Sequence, residues 1–433
     1  MALLVLASCA GGGEAPPTEP VPAPPARVWD DRAVDGLRIA IAGAEAEGLP
    51  PESAALEELN RLQRRAQHDA GAAARLDATA ETLFARLAHA LAQGGVDPES
   101  ADPEWHMPRA PAPDIEALRA ELRGGAAASA VLSALAPASA DYRTLVSALA
   151  QVRAEPEGAL DANGLARETR IDLLRATLER WRWLPRDLPP RRIDVLIPFF
   201  QLRVRDGAAA PIEHAVIVGA RRTPTPSFAA QIETVTLNPY WTPPSSILNA
   251  ELLPRFRRDP AAAARENYEA VNAQGAVVSL ADVDWNARPF AYTLRQRPGA
   301  GNALGRLRFD LPNPYAVFLH DTSSRSLFER ADRALSHGCV RVAQPEALAV
   351  AVLGGDWTAE SLEAAIESGE TQLIQVAPAL PVYLLYLTAT VTDSGVVFAE
   401  DIYGRDARLL RALDGGAQGS RAGDDSETEC ASS

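Results

Sequence analysis

Two stretches decide how the chain is read: Ala316-Val317-Phe318-Leu319-His320-Asp321-Thr322, and Ser336-His337-Gly338-Cys339-Val340-Arg341, whose cysteine follows the first histidine by nineteen positions. Ala316 to His320 reads as an apolar strand ending in a histidine, and Cys339 to Val342 as a second short strand. Alternation along a strand puts Cys339 and Arg341 on one face. A cysteine becomes a strong nucleophile when a nearby histidine takes its proton and remains as an imidazolium. Arg341 would lower the thiol pKa or hold a substrate carboxylate. Gly338 leaves room for a carbonyl and permits a tight backbone path that aims N–H groups at an oxyanion.

Taken singly, each residue has a plainer reading. A buried cysteine is more often an inert small hydrophobe. His320 reads as a satisfied core histidine, Arg341 as an ion-pair partner, and Trp241 as core. His320, Asp321, His337 and Cys339 are also acceptable zinc ligands, although one residue between His337 and Cys339 is a spacing uncommon in structural zinc sites. An aromatic, proline-rich loop, Asn238-Pro239-Tyr240-Trp241-Thr242-Pro243-Pro244-Ser245, is a third feature of this half.

Outward from these stretches, the period is that of strands. Ile193–Phe200 and Gln201–Arg205 read as a pair, with Asp206-Gly207 as a turn signal, and Ile212–Gly219 and Ile232–Leu237 as further strands. Glu346–Leu353 and Ala359–Ser368 read as helices, and Val382–Val391 and Val396–Ile402 as closing strands. The tail from Asp414 is polar and acidic and is expected to be disordered. Before Arg186 the text is helical, with Leu56, Leu59, Leu62, then Leu76, Leu83, Leu87 and Leu91 at helical spacing. Asp77 reads as one helix start and Ser139 or Asp141 as the cap of another. A third helix runs from Arg170 to Trp183, ended by Leu184-Pro185.

Composition narrows the function. The 433 residues are 47% hydrophobic and 23% charged, ordinary for two or three globular domains. The net charge of −15 argues against a nucleic-acid binder. All 42 Lys+Arg residues are arginine, which excludes a Walker A lysine, a Schiff-base lysine and a Ser-x-x-Lys pair. Cys9, Cys339 and Cys430 are too scattered for a disulfide framework. Beyond the N-terminus no run of about 18 apolar residues occurs. Met1 to Ala10 is a short apolar run in which Leu6-Ala7-Ser8-Cys9 resembles a bacterial lipobox. Residues 1–9 are therefore expected to be a signal segment with Cys9 lipidated, and 10–29 a Pro/Gly-rich tether. The missing basic n-region fits a true start further upstream. This reading places the protein in the periplasm or cell envelope, anchored to a membrane.

The stretch from His320 to Arg341 resembles the active-site signature of L,D-transpeptidases of the YkuD type: a histidine, a spacer, then Ser/Thr-His-Gly-Cys. The text around it is similar to the large multidomain Gram-negative branch of that family. Leu178–Pro185, Val218-Gly219, Leu237–Trp241, Glu251–Pro254, Leu319–Arg325 and Asp401–Arg405 carry the likeness. It extends from about Asp30 to Leu413 and is strongest from Arg170 onward.

The resemblance implies an α+β multidomain chain: a helical scaffold at 30–186, then a mainly β catalytic domain at 187–413 with a capping insertion at about 255–305. It implies Cys339 as nucleophile, His320 as general base with its ring oriented by the Asp321 carbonyl, and His337, Gly338 and Cys339 as the oxyanion-hole turn. Ser336 and Arg341 would support the site, and Trp241 and Tyr240 would wall the pocket. The insertion would exclude water and favour transfer to an amine over hydrolysis. The reaction implied releases D-alanine from a peptidoglycan tetrapeptide stem and joins two third-position residues. It needs no cofactor and no metal, and carbapenems would acylate Cys339. Unlike many relatives in this branch, the chain has only Ala154–Arg167 where a peptidoglycan-binding helical module would sit. Two rivals stand beside this reading: an L,D-carboxypeptidase or other secreted thiol peptidase without cross-linking, and a non-catalytic envelope scaffold.

Overall fold

The computed structural model describes residues 28–207 and 209–422, with side chains to residue 415. Residues 1–9 with Cys9, nearly all of the expected tether, and Cys430 lie outside the described residues.

The first half is helical: α1 (Asp31–Ala44), α2 (Ser53–Ala66), α3 (Ala70–Gln93), α4 (Pro98–Ala101), α5 (Ile115–Arg123), α6 (Ala128–Ser133), α7 (Ala140–Ala154) and α8 (Arg167–Trp183). Caps define the ends. The Asp69 carboxylate accepts the Gly71 N–H, so α3 starts seven residues before Asp77, which lies inside it. Ser139, not Asp141, caps α7 by accepting the Tyr142 N–H at 3.1 Å. The leucines at helical spacing, Leu59, Leu62, Leu76, Leu83, Leu87 and Leu91, are buried in one core with Phe84 and Trp29. At Gly94 (φ +99°) α3 ends so close to α8 that a Cβ would lie 2.4 Å from the Trp183 indole nitrogen.

One short strand, β1 (Trp105–His106), leaves the helical half and pairs in parallel with a strand of the second half, bringing His106 opposite Phe228. The second half opens with β2 (Arg191–Leu196), β3 (Gln201–Asp206), β4 (Ile212–Gly219) and β5 (Ser227–Leu237). An insertion follows: α9 (Ser245–Ile247), a π turn (Leu248–Leu252), α10 (Leu253–Arg258), α11 (Ala261–Arg265), and the three-stranded sheet of β6 (Tyr268–Val271), β7 (Val277–Val278) and β8 (Thr293–Gln296). It has its own core, in which the Phe256 ring meets Tyr268 at 5.3 Å and Trp285 at 5.4 Å. Ile247, Leu248 and Leu252 belong to that core, so the unit begins earlier than position 255.

The chain returns through β9 (Leu307–Asp310), β10 (Leu319–His320), β11 (Ala334–Ser336), β12 (Val340–Val342), α12 (Pro345–Leu353), α13 (Ala359–Glu367) and β13 (Gln372–Leu385). The sheet runs β5-β13-β2-β3-β4-β12-β10-β9 and closes where β9 pairs with β5. Closure encloses Ile193, Val195, Val216, Val235, Phe309, Leu319, Val340 and Val342. The expected strand 382–391 is two elements: β13, which is longer, and β14 (Ala389–Thr392), which forms a hairpin with β15 (Gly395–Phe398).

Of the tail expected to be disordered from Asp414, the described part, to Ala422, continues α14 (Arg405–Ala422), and the remainder lies outside the described residues. Leu409 and Leu413 are buried against the helical half, and Asp414 pairs with Arg175 of α8 at 2.5 Å. A helix seated by two leucines propagates into polar text that would not nucleate one.

Candidate active site

The site forms where β10 and β12 lie side by side. Their parallel register sets Leu319 opposite Val340 and His320 opposite Arg341. Leu319, Val340 and Val342 fill the barrel core, so alternation turns His320, Arg341 and Cys339 to the other face. The Val340 N–H donates to the Phe318 carbonyl at 3.1 Å, which brings Phe318 alongside Cys339. His320 and Cys339 thus stand as diagonal neighbours on adjacent strands.

The predicted strand 316–320 shrinks to Leu319–His320. Ala316 has φ +54°, a kink in the chain just before the strand. The Cys339 thiol donates to the Ala316 carbonyl, with Sγ 3.6 Å from the oxygen. Asn313 holds this loop: its amide nitrogen donates to the carbonyls of Leu311 and Val317, both at 2.6 Å, and its Oδ1 accepts the N–H groups of Tyr315 and Val317. Sequence reasoning missed Asn313, although Pro312-Asn313-Pro314 is a turn signal.

His320 is buried, and its Nδ1 lies 2.5 Å from the Asp321 carbonyl oxygen. A carbonyl only accepts, so Nδ1 carries the proton and Nε2 is left as the basic nitrogen. The Asp321 carboxylate faces away, accepting the Arg306 N–H at 2.9 Å and Arg325 at 3.2 Å. Burial, with the Arg341 charge next and Arg308 behind it, pushes His320 down to about 3. Burial also raises the partly exposed Cys339 thiol, against the opposing pull of the Phe318 backbone and Arg341. These directions favour a neutral thiol and a neutral imidazole over the expected thiolate–imidazolium pair, because desolvation outweighs the Arg341 charge at Cys339.

Gly338 has φ +116°, a conformation open to glycine. Its N–H donates to the Ser336 hydroxyl at 3.1 Å, and that hydroxyl donates to the Cys339 carbonyl at 2.6 Å. Ser336 thereby braces the turn from within, and the Gly338 N–H is not free for an oxyanion. Among the described residues, the Arg341 Nε is buried without a hydrogen-bond partner.

Other expected site residues point elsewhere. His337 Nε2 lies 2.8 Å from the Glu251 carboxylate, on the π turn of the insertion. Trp241 pairs backbone to backbone with Gln296 of β8 and packs in the insertion's core. Tyr240 carries the Arg295 guanidinium over its ring at 4.6 Å. These two aromatics join the insertion to the barrel. The four groups weighed as zinc ligands also have separate partners: a carbonyl for His320 and Cys339, Glu251 for His337, and Arg306 with Arg325 for Asp321.

Comparison with known proteins agrees with this architecture. Residues 190–360 match the YkuD family profile, described as an L,D-transpeptidase catalytic domain, and residues 26–149 match one described as a scaffold domain. The chain thus carries a YkuD-type L,D-transpeptidase catalytic domain preceded by a scaffold domain. Over 221 residues it is 37% identical to a Haemophilus influenzae protein provisionally named an L,D-transpeptidase, and the match takes in 50% of this chain and 45% of that protein. The chain thus spans about half the length of the curated relative it matches. The transpeptidase profile ends in α13, so β13 to α14 lie beyond it.

Proposed function

We propose that this chain is a peptidoglycan L,D-transpeptidase of the bacterial envelope that makes cross-links between third-position residues, with Cys339 as nucleophile and His320 as base. The observation that carries the reading is the His320–Asp321 contact. It leaves Nε2 unprotonated on the strand next to Cys339.

In the first step, Nε2 takes the thiol proton as Sγ attacks the carbonyl of the third residue of a tetrapeptide stem. The tetrahedral oxyanion is stabilised by the backbone N–H groups of His337 and Cys339. Its collapse breaks the bond to the terminal D-alanine, whose amine leaves with the proton from His320. A thioester remains on Cys339. In the second step, the side-chain amine of another stem's third residue attacks the thioester and gives its proton to His320. The thiolate leaves and is reprotonated from His320. Because both partners start neutral, proton transfer accompanies attack and no resting ion pair is required. The unpartnered Arg341 Nε supports a role in holding a substrate carboxylate. The insertion, joined to the turn through Glu251 and His337, supports exclusion of water from the thioester. Lipidation at Cys9, a periplasmic address and acylation by carbapenems belong to the same proposal.

The test uses purified disaccharide-tetrapeptide with the chain and with Cys339→Ala, products being read by mass spectrometry. A dimer lacking one D-alanine, absent with the variant, is expected. Tripeptide monomer alone would replace the reading with an L,D-carboxypeptidase.

A further inference from the structure

The turn that carries Cys339 is held from behind by a loop outside the signature. β4 ends at Gly219, and the chain doubles back so tightly that a Cβ there would lie 2.2 Å from the Thr223 carbonyl oxygen and 2.7 Å from the Thr225 nitrogen. From this loop the Ala220 N–H, at 2.8 Å, and the Thr223 hydroxyl, at 3.1 Å, both donate to the Ser336 carbonyl. The Thr225 hydroxyl donates to the Gly338 carbonyl at 2.8 Å and accepts the Gly219 N–H at 2.8 Å. Thr225 is wholly buried.

A trans peptide is planar, with its C=O and the following N–H on opposite sides. Tying the Gly338 carbonyl to Thr225 therefore turns the Cys339 N–H the other way. Tying the Ser336 carbonyl to Ala220 and Thr223 does the same for the His337 N–H. The Gly338 N–H is already given to Ser336. The directions of the remaining N–H groups are thus set by a loop more than a hundred residues earlier in the chain.

Thr225 is itself held at every polar atom. Its N–H donates to the Tyr403 hydroxyl at 3.3 Å, and that hydroxyl donates to the Gly219 carbonyl at 2.6 Å. Arg405 donates to the Thr225 carbonyl at 3.0 Å and to the Ser227 hydroxyl at 3.2 Å. The Arg405 guanidinium rests over the Tyr386 and Tyr403 rings at 4.5 and 5.1 Å, and its Nε is 3.8 Å from Asp102 of the helical half. Tyr403 and Arg405 lie beyond the matched catalytic segment, yet only one side chain separates them from its turn.

We propose that Thr225, backed by Tyr403 and Arg405, is a positioning residue that aims the Cys339 N–H at the oxyanion formed during acyl transfer. This rests on the reading of Cys339 as the acyl-transfer nucleophile. It makes the segment after β15 a working part of the site.

The test separates two reactions of the same sulfur in the full chain. Acylation by p-nitrophenyl acetate passes through a tetrahedral oxyanion and expels p-nitrophenolate. Alkylation by iodoacetamide displaces iodide and forms no oxyanion. Both rates are followed for wild type, Thr225→Val, Thr225→Ser and Tyr403→Phe, with intact mass placing the adduct on Cys339. Thr225→Val is expected to slow acylation by about tenfold or more while alkylation stays within about twofold, and Thr225→Ser to restore acylation. A parallel fall of both rates, or acylation unchanged in Thr225→Val, overturns the proposal. Should Thr225→Val fail to fold, Tyr403→Phe carries the test, with a smaller loss confined to acylation and the same overturning outcomes. Wild type that reacts with the ester but releases no D-alanine from tetrapeptide would sink the peptidoglycan reading and leave the clamp standing. Wild type whose Cys339 is not acylated would sink both.

Discussion

His320 lies directly opposite Arg341 in the parallel pair of β10 and β12, and burial beside that cation keeps its ring neutral. As the proposed base, His320 would therefore be ready at any pH well above about 3. Acylation of Cys339 by a small ester should vary little from about pH 5 to 8, where an unperturbed histidine would give an inflection near 6.5. A rate profile with that inflection would show His320 titrating normally and would remove the neutral-pair mechanism.

The same burial makes His320 a source of acid lability. In the unfolded chain the imidazole binds a proton below its ordinary value of 6.5, whereas in the folded chain it does so only at about 3. Between those limits the unfolded state holds the extra proton, so stability rises with pH across the window and falls on acidification. His214, buried with its Nδ1 at the Ala343 carbonyl, is shifted the same way. The stability difference between wild type and His320→Gln should shrink by up to about 1.4 kcal/mol per pH unit as pH falls below 6.5. Urea midpoints of both proteins at pH 7 and 5 would check this; a constant difference would contradict it.

At Gly338 the limit is the backbone and not space, since a Cβ would meet nothing nearer than the Pro224 carbonyl oxygen at 3.9 Å. Gly338→Ala forces an L side chain to φ +116° at a cost of about 1–3 kcal/mol. We expect a soluble, folded protein whose acylation rate is about a hundredfold lower, because relaxing the strain redirects the N–H groups of the turn. Near-normal acylation would show that the turn's path is unimportant.

Glu251 and His337 are both largely exposed, so their pair adds little to stability. It does join the insertion to the turn that carries Cys339. Glu251→Ala should leave the thermal midpoint unchanged and raise the share of tripeptide over cross-linked dimer. An unaltered product ratio would remove the insertion from control of water.

Arg180 of α8 is fully buried and paired with Asp406 of α14, with Asp102 at 3.6 Å. Asp406 also accepts the Thr388 hydroxyl at 2.6 Å. Removing one partner leaves a buried charge uncompensated, so Asp406→Leu should destabilise the chain by about 3 kcal/mol or more in denaturant titration. A shift below 1 kcal/mol would mean that water reaches Arg180.

Much of this protein was readable from local pattern. Leu76 to Leu91 repeat at helical spacing and become one face of α3. In β3 the apolar Leu202 and Val204 alternate with Arg203 and Arg205, the spacing of a strand with one face on an apolar core. The residues from Ser336 to Arg341 declare a thiol on a glycine turn, because side-chain chemistry and short-range geometry are written in neighbouring positions.

Other features arise only when distant segments meet. Nothing periodic marks Trp105–His106 as a strand, since its pairing is supplied by β5. Asp414 to Ala422 is helical because Leu409 and Leu413 seat the preceding turns. The direction of His337 depends on Glu251, eighty-six residues earlier. The protonation of His320 depends on burial and on Arg341, not on residue type. Thr225 sits in an unremarkable Thr-Pro-Thr-Pro loop, and only the closed barrel brings its hydroxyl under Gly338. Sequence alone pointed to the groups proposed to react. Tertiary structure decided their charge and aim, because desolvation and hydrogen-bond direction belong to the packed surroundings and not to the residue.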